Sequence, residues 1–244
     1  MSDAPTVAPT VAIVQSSYIP WRGYFGLIAA SETFVFLDSV QFTRRDWRSR
    51  NRIKTAQGPQ WLTVPVQSKG AYHAAIDEID VADAGWVEKH LSAIRGAYAQ
   101  AAFFRDGFPQ LEAAYQACRS EVRLSEINIG LTTALCRALN IRTRLVRDTE
   151  LLPREVLVGF DPTERLVRLC TAAGAGRYLS GPAARSYLDQ GAFSRAGVSV
   201  AWADYSGMCP HRQLWGAFEP QVSVIDALLN LGPEGARAAI APVA

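Results

Sequence analysis

The residues of this sequence that could do chemistry fall into three groups. Cys209-Pro210-His211 follows Tyr205-Ser206-Gly207 just after an apolar segment. A thiol with an imidazole nearby can be deprotonated to a thiolate and attack an acyl carbon. Free cysteine titrates near pH ~8.5, so a cationic neighbour would help it at neutral pH. Sequence neighbours need not face one another, so His90 is a second candidate for the base; a merely exposed thiol is the plainer reading of Cys209. His90 shares a helical face with Trp86 and Ile94, where a satisfied core histidine is the ordinary alternative.

The second group is the stretch Asp38-Ser-Val-Gln41-Phe-Thr-Arg44-Arg45-Asp46-Trp47-Arg48-Ser-Arg50-Asn51-Arg52-Ile-Lys54. It carries six basic residues and one acid between positions 44 and 54, interleaved with Trp47 and Asn51. A phosphate, a diphosphate or an acidic partner surface would complement it. A solvated basic loop is the bland alternative, but Asp38, Gln41 and Asn51 add polar groups that could converge with Arg44, Arg45 and Arg52. The third group is Gln15-Ser-Ser-Tyr18-Ile-Pro-Trp21, at the end of the first apolar run. Ligands of open α/β sheets bind at that edge, so Gln15, Tyr18 and Trp21 could form a pocket wall. A packed turn plugged by aromatics is the structural alternative.

Strands and helices must position these groups. Short apolar runs predict strands over 11–15, 33–40, 61–66, 76–81 and 198–204, with 143–151 extended. Helices are predicted over 24–30, 109–118, 124–139 and 223–230. Trp86, His90, Ile94 and Tyr98 recur every fourth position, which makes one face of a middle helix. Asp161-Pro162-Thr163-Glu164 is a strong helix start, with an acid at the N-cap and proline at the first position. Alternating elements predict an α/β fold: one domain over 11–244, a mixed sheet flanked by helices with a helical middle region. Residues 1–10 read as a tail rather than a signal peptide.

Composition narrows the function. Hydrophobic residues make up 49% and charged residues 20% of 244, enough for a substantial core. The net charge of +2 creates no field that demands nucleic acid or a membrane as partner. Only three of the 25 basic residues are lysine. That skew suits either a GC-rich genome or guanidinium recognition of phosphate and carboxylate. Four scattered cysteines without CxxC spacing predict reduced thiols, no structural metal and a cytoplasmic location. No GxxxxGK[ST], GxSxG or HExxH occurs, and Gly174-Ala-Gly176 follows a helix, the reverse of the dinucleotide-binding order. No ATP-dependent activation machinery is evident.

Taken together, Gln15-Ser-Ser-Tyr-Ile-Pro-Trp-Arg-Gly-Tyr-Phe25, the Asp38 to Lys54 stretch, and Glu164-Arg-Leu-Val-Arg-Leu-Cys170 running on to Tyr178-Leu-Ser-Gly181 resemble the WbqC-like family. Residues 61–66, His90 in its helix and residues 218–233 also match, so the resemblance spans about 11–233. The family is associated with bacterial surface-sugar pathways and with transfer of aminoacyl groups onto amino sugars. It also takes in the condensing enzymes of lincosamide antibiotic biosynthesis, which join a proline-derived acyl group, held as a carrier-protein thioester, to the amine of an unusual octose. The arginine and alanine bias and Cys209-Pro-His211 resemble that branch; other members usually have aromatic or acidic residues there. The resemblance implies an ATP-independent N-acyltransferase with an acyl or peptidyl carrier protein and an amino sugar as partners. It would bind no cofactor of its own, the carrier's phosphopantetheine arm being part of the substrate. Cys209 would be the nucleophile and His90 or His211 the base. Direct attack by the amine is the variant. Aminoacyl transfer to a nucleotide-linked amino sugar, or a non-catalytic sugar- or RNA-binding module, are the alternatives.

Overall fold

The computed structural model describes residues 8–70 and 73–240. Five strands form a parallel sheet: β1 (Thr10–Val14), β2 (Thr33–Phe36), β5 (Arg144–Arg147), β6 (Arg177–Ser180) and β7 (Ser199–Trp202), in the order β5-β2-β1-β6-β7. The chain winds outward from β1 through β2 to β5, then returns to the other side of β1 for β6 and β7. The order therefore reverses between β1 and β6, and the crevice beyond the carboxyl ends of such strands is where open α/β sheets bind ligands. A separate antiparallel ribbon, β3 (Arg50–Thr55) with β4 (Gly58–Thr63), lies outside the sheet. The predicted mixture of strand directions is thus two sheets.

Alternation along the strands builds three layers. Ala12, Phe34, Phe36 and Leu179 face a large core shared with α1 (Arg22–Ala29), α2 (Trp86–Tyr98), α3 (Phe104–Ala117), α4 (Leu124–Ala138) and α9 (Val224–Ile240). Val11, Ile13, Val35 and Tyr178, the intervening residues, face a smaller core with α6 (Arg154–Gly159), α7 (Pro162–Ala172) and α8 (Gln190–Arg195). Because side chains of a strand point alternately to its two faces, a short apolar run with no polar alternation can feed both layers. A one-turn helix, α5 (Asp148–Leu151), follows β5 directly.

Local signals hold where they are strongest. The Asp161 carboxylate accepts hydrogen bonds from the Thr163 and Glu164 amides, and Pro162 opens α7. All four residues of the predicted face, Trp86, His90, Ile94 and Tyr98, are buried on α2. Elsewhere the structure corrects the reading. Residues 50–55, mostly part of the charged stretch and without a predicted element, are strand β3; residues 76–78 form a 3-10 turn where a strand was predicted; and the 143–151 stretch is a strand only to Arg147. Residues 1–7 of the predicted tail lie outside the described residues, while Thr10 already belongs to β1 and the Pro9 carbonyl accepts from Gly176 and Arg177. Among the described residues no helix is long and apolar enough to cross a membrane.

The last helix runs well past residue 230 and is broken at Gly232, whose φ of 73° and ψ of 178° no side-chain-bearing residue adopts readily. A Cβ there would also lie 2.6 Å from the Phe103 ring. Gly232→Ala is expected to cost about 1–3 kcal/mol from backbone strain alone, with the clash added. A chemical denaturation midpoint within error of wild type would refute this.

Candidate functional site

A cleft of about 490 Å³ opens at the carboxyl end of β1, lined by Val14, Ser17, Pro20, Trp21, Tyr24, Trp47, Arg48, Asn51, Pro220 and Gln221. Three distant segments meet there. The Tyr18 amide donates to the Trp47 carbonyl, the Ser223 amide to the Arg52 carbonyl, and the Val224 amide to the Pro20 carbonyl. The indole of Trp21 folds back over Gly23, where a Cβ would lie 2.3 Å from the ring, so any larger residue here would push the indole out of its place.

The turn that forms the cleft wall is strained. Ile19, β-branched and fully buried, sits at φ 35°. Asn51 holds it there: its Nδ2 donates to the carbonyls of Tyr18 (3.1 Å) and Ile19 (2.9 Å). Losing a side-chain donor to buried carbonyls costs roughly 1–3 kcal/mol each. Asn51→Ala is therefore expected to destabilise the fold by roughly 2–6 kcal/mol, measured by denaturant titration; an unchanged midpoint would show that water replaces the amide. Arg48 supports the same turn from inside, with Nη1 donating to the carbonyls of Gln15 and Ser16 and to Ser17 Oγ at 2.7 Å.

Asp38, at the carboxyl end of β2, stands behind this wall. Its Oδ1 accepts the Ser16 amide at 2.8 Å, while Oδ2 is buried without a partner. Burial pushes its carboxyl up to about 6, against the pull of the Ser16 hydrogen bonds. The Asn128 amide donates to Ser16 Oγ and to the Arg48 carbonyl, which ties α4 to the same turn.

Two of the sequence-predicted residues prove to be core. Tyr18 has no exposed surface and so forms no pocket wall: its hydroxyl lies 2.7 Å from His90 Nδ1 and 2.6 Å from the Tyr115 hydroxyl. His90 is buried between Tyr18 and Trp86 and also hydrogen-bonds the Thr63 backbone. Burial lowers it to about 4, which keeps it neutral. It is the satisfied core histidine that the helix pattern allowed. Gln41 pairs by backbone with Ala75 and Arg44 borders a separate shallow depression, so neither lines the cleft. The Gln15 carbonyl accepts from Tyr24 and Arg48.

Cys209 and His211 lie on a strap, residues 203–223, that joins β7 to α9 and borders the cleft at both ends. At one end the Tyr205 ring packs on Trp21, with centroids 5.1 Å apart; at the other, Pro220 and Gln221 are part of the lining. Buried cations pin the strap. Arg22 donates to the carbonyls of Cys209 (2.7 Å), Met208 (3.2 Å) and Ala239 (3.4 Å), and burial lowers its pKa. Lys54 Nζ donates to Gln213 Oε1 and to the Ala217 carbonyl. Asp226, at the start of α9, completes the anchor: Oδ1 accepts from His211 Nε2 (2.9 Å) and Gln213 Nε2 (2.9 Å), and Oδ2 from the Tyr98 hydroxyl (3.0 Å).

The pairing of His211 with Asp226 fixes the imidazole so that Nδ1 is its remaining nitrogen. That atom is shielded from solvent and has no hydrogen-bond partner. Cys209 is exposed and makes no hydrogen bond with it. The structure thus places the thiol and one imidazole on the same strap without joining them, and neither is among the residues that line the cleft. Sequence reading missed Arg22, Gln213, Pro220, Gln221 and Asp226, and gave Arg48 only as one of a basic run. An acid in the first turn of a helix reads as dipole compensation, so Asp226 gave no signal of pairing with His211.

Fold and site define an α/β protein with a tryptophan-walled cleft beside the point where strand order reverses. The chain belongs to the WbqC-like protein family, whose model matches residues 15–238. It is 46% identical over 226 residues, covering 92% of this chain and 94% of the relative, to a Mycobacterium tuberculosis protein described as "Uncharacterized protein Rv1507c". No solved structure matches the chain.

Proposed function

We propose that this protein is an N-acyltransferase that forms an amide without ATP, joining an acyl group delivered as a carrier-protein thioester to the amine of an amino sugar. The observation that carries this reading is the His211–Asp226 pair, an imidazole oriented by a buried carboxylate, on a strap whose two ends border the cleft although His211 itself is not among the lining residues. Such a pair suits a general base, because the carboxylate holds the ring and stabilises the imidazolium that forms. The amine attacks the thioester carbonyl, the C–N bond forms as the C–S bond breaks, and Nδ1 takes the amine proton and passes it to the sulfur of the carrier, which leaves as the free thiol. Reaching Nδ1 requires the substrate to displace the atoms that now cover it.

Direct attack by the amine needs no bond between Cys209 and His211, in keeping with their lack of a hydrogen bond. In the covalent route the Cys209 thiolate first takes the acyl group and is released by the amine. The acceptors of lincosamide assembly fall within the proposed class, and so do nucleotide-linked amino sugars. The full chain, incubated with acyl-carrier thioesters and a panel of amino sugars, is expected to give an amide detectable by mass spectrometry. Amide yield no higher than in the enzyme-free control would sink the proposal. Salt-sensitive RNA binding in its place would favour a non-catalytic module.

A further inference from the structure

The fold sorts the six basic residues between positions 44 and 54 by direction. Arg48 and Lys54 turn inward and are consumed by the cleft wall and the strap. Arg45, Arg50 and Arg52 instead converge, with Asp46, Trp47, Trp61 and Gln221, on a solvent-open chamber of about 280 Å³. This chamber shares Trp47 and Gln221 with the cleft, so the two are adjoining compartments.

We infer that the Arg45–Arg50–Arg52 chamber binds the phosphate group of a ligand whose uncharged part enters the Trp21–Trp47 cleft. The guanidinium groups are arranged in advance. Arg50 stacks over the Trp61 ring at 4.3 Å and Arg52 lies 5.4 Å from it, while Trp61 packs on Trp47 with centroids 5.4 Å apart. Stacked, planar guanidinium groups lose little freedom on binding an oxyanion. Arg50 Nη2 donates to the Arg45 carbonyl and its Nε is buried without a partner. The Arg45 side chain has no hydrogen bond or ion pair among the described residues, and its backbone is left-handed at φ 58°. Arg52 is held by Gln221 through Nε and Nη2 and lies 3.9 Å from Glu219. The one carboxylate in the lining, Asp46, is already engaged: its oxygens accept from the Trp47 amide and the Thr43 hydroxyl, and it lies 3.7 Å from Arg48.

Three guanidinium groups against two carboxylates, Asp46 in the lining and Glu219 beside Arg52, leave the chamber positive by one charge, and three guanidinium groups suit a tetrahedral oxyanion better than a planar carboxylate, which a single arginine can satisfy. The inference deepens the acyl-transfer reading by naming the handle on one substrate, but rests on binding geometry and is tested without turnover. Nucleoside diphosphate sugars and phosphopantetheine both have this chemistry.

The full chain is titrated calorimetrically with pyrophosphate, UDP-N-acetylglucosamine and 4′-phosphopantetheine. Saturable binding of pyrophosphate is expected, with at least one of the larger compounds binding tenfold or more tighter; the tighter one identifies the source of the phosphate. Arg45→Ala, at an exposed side chain with no partner, and Arg50→Ala are each expected to weaken every probe about tenfold or more. Trp21→Ala is expected to weaken the larger compounds and spare pyrophosphate. No saturable binding of any probe, or affinities unchanged in both arginine variants, overturns the site. Loss of acyl transfer in His211→Gln with phosphate affinity untouched would support both readings separately; phosphate binding in a protein without transferase activity would leave this site standing and remove the other.

Discussion

His211→Gln is expected to lower kcat/KM for amide formation by about 10²–10⁴-fold, the range that a positioned general base contributes. Glutamine can still donate to Asp226, so the strap stays anchored and the melting temperature should change little. The same substitution at His90 is expected to act on stability instead, because that ring is buried in the core, where it hydrogen-bonds Tyr18 and Thr63. Full activity of His211→Gln would remove the base from the proposed mechanism. Cys209→Ala then separates the two routes: direct aminolysis predicts near wild-type rates, while a covalent intermediate predicts a loss of similar size to that of His211→Gln and an acyl adduct on Cys209 in the wild type.

The second large effect concerns pH. Asp38 is raised by burial from 3.8 to about 6, so folding favours its protonated form. Its contribution is neutral below pH 3.8, and stability is lost as pH rises through the window up to about 6, in total roughly 3 kcal/mol. His90 is lowered by burial from 6.5 to about 4, so it works in the opposite sense: stability is lost as pH falls through that window, by a similar roughly 3 kcal/mol. The two nearly cancel between pH ~4 and ~6.5. Asp38→Asn keeps an acceptor for the Ser16 amide and removes one side of that balance. It is expected to be more stable than wild type at pH 7.5 by up to roughly 3 kcal/mol, and then to lose that gain on acidification where the wild type stays level. Asp148, also raised by burial, adds to the Asp38 trend in both proteins. Urea titrations of the two proteins across pH 4–7.5 check this. A less stable Asp38→Asn at neutral pH would mean that the charge is worth more to Arg48 than its burial costs.

A carboxylate kept ionised at such expense beside a cleft is a feature that function commonly retains against stability. Here the beneficiaries are the Ser16–Ser17 turn and Arg48, which shape the wall where a substrate would lie.

How much was legible in the sequence depended on whether the signal was local. The α7 start at Asp161-Pro162 and the buried face of α2 are determined by neighbours within a few positions, and both emerged as read. The apolar runs of β1 and β2 identified their strands because burial on both faces needs no partner to be specified. Strand β3 was hidden by its charge, although Arg50 and Arg52 alternate there with buried Asn51 and Ile53 as any half-buried strand does. Tyr18 looked like a pocket wall since nothing near it shows that Tyr115, 97 positions away, caps its hydroxyl.

From the chain alone came the α/β class, the family resemblance and the segments that gather at the carboxyl edge of the sheet. The tertiary structure alone decided which polar groups are free and which are spent. It turned Arg48 and Lys54 inward while leaving Arg45, Arg50 and Arg52 around a chamber, and it gave His211 the carboxylate of Asp226 while burying His90. The physical reason is one of range. Hydrophobic periodicity is a property of adjacent residues, whereas the partner and the burial of a polar side chain are set by whichever distant segments fold against it.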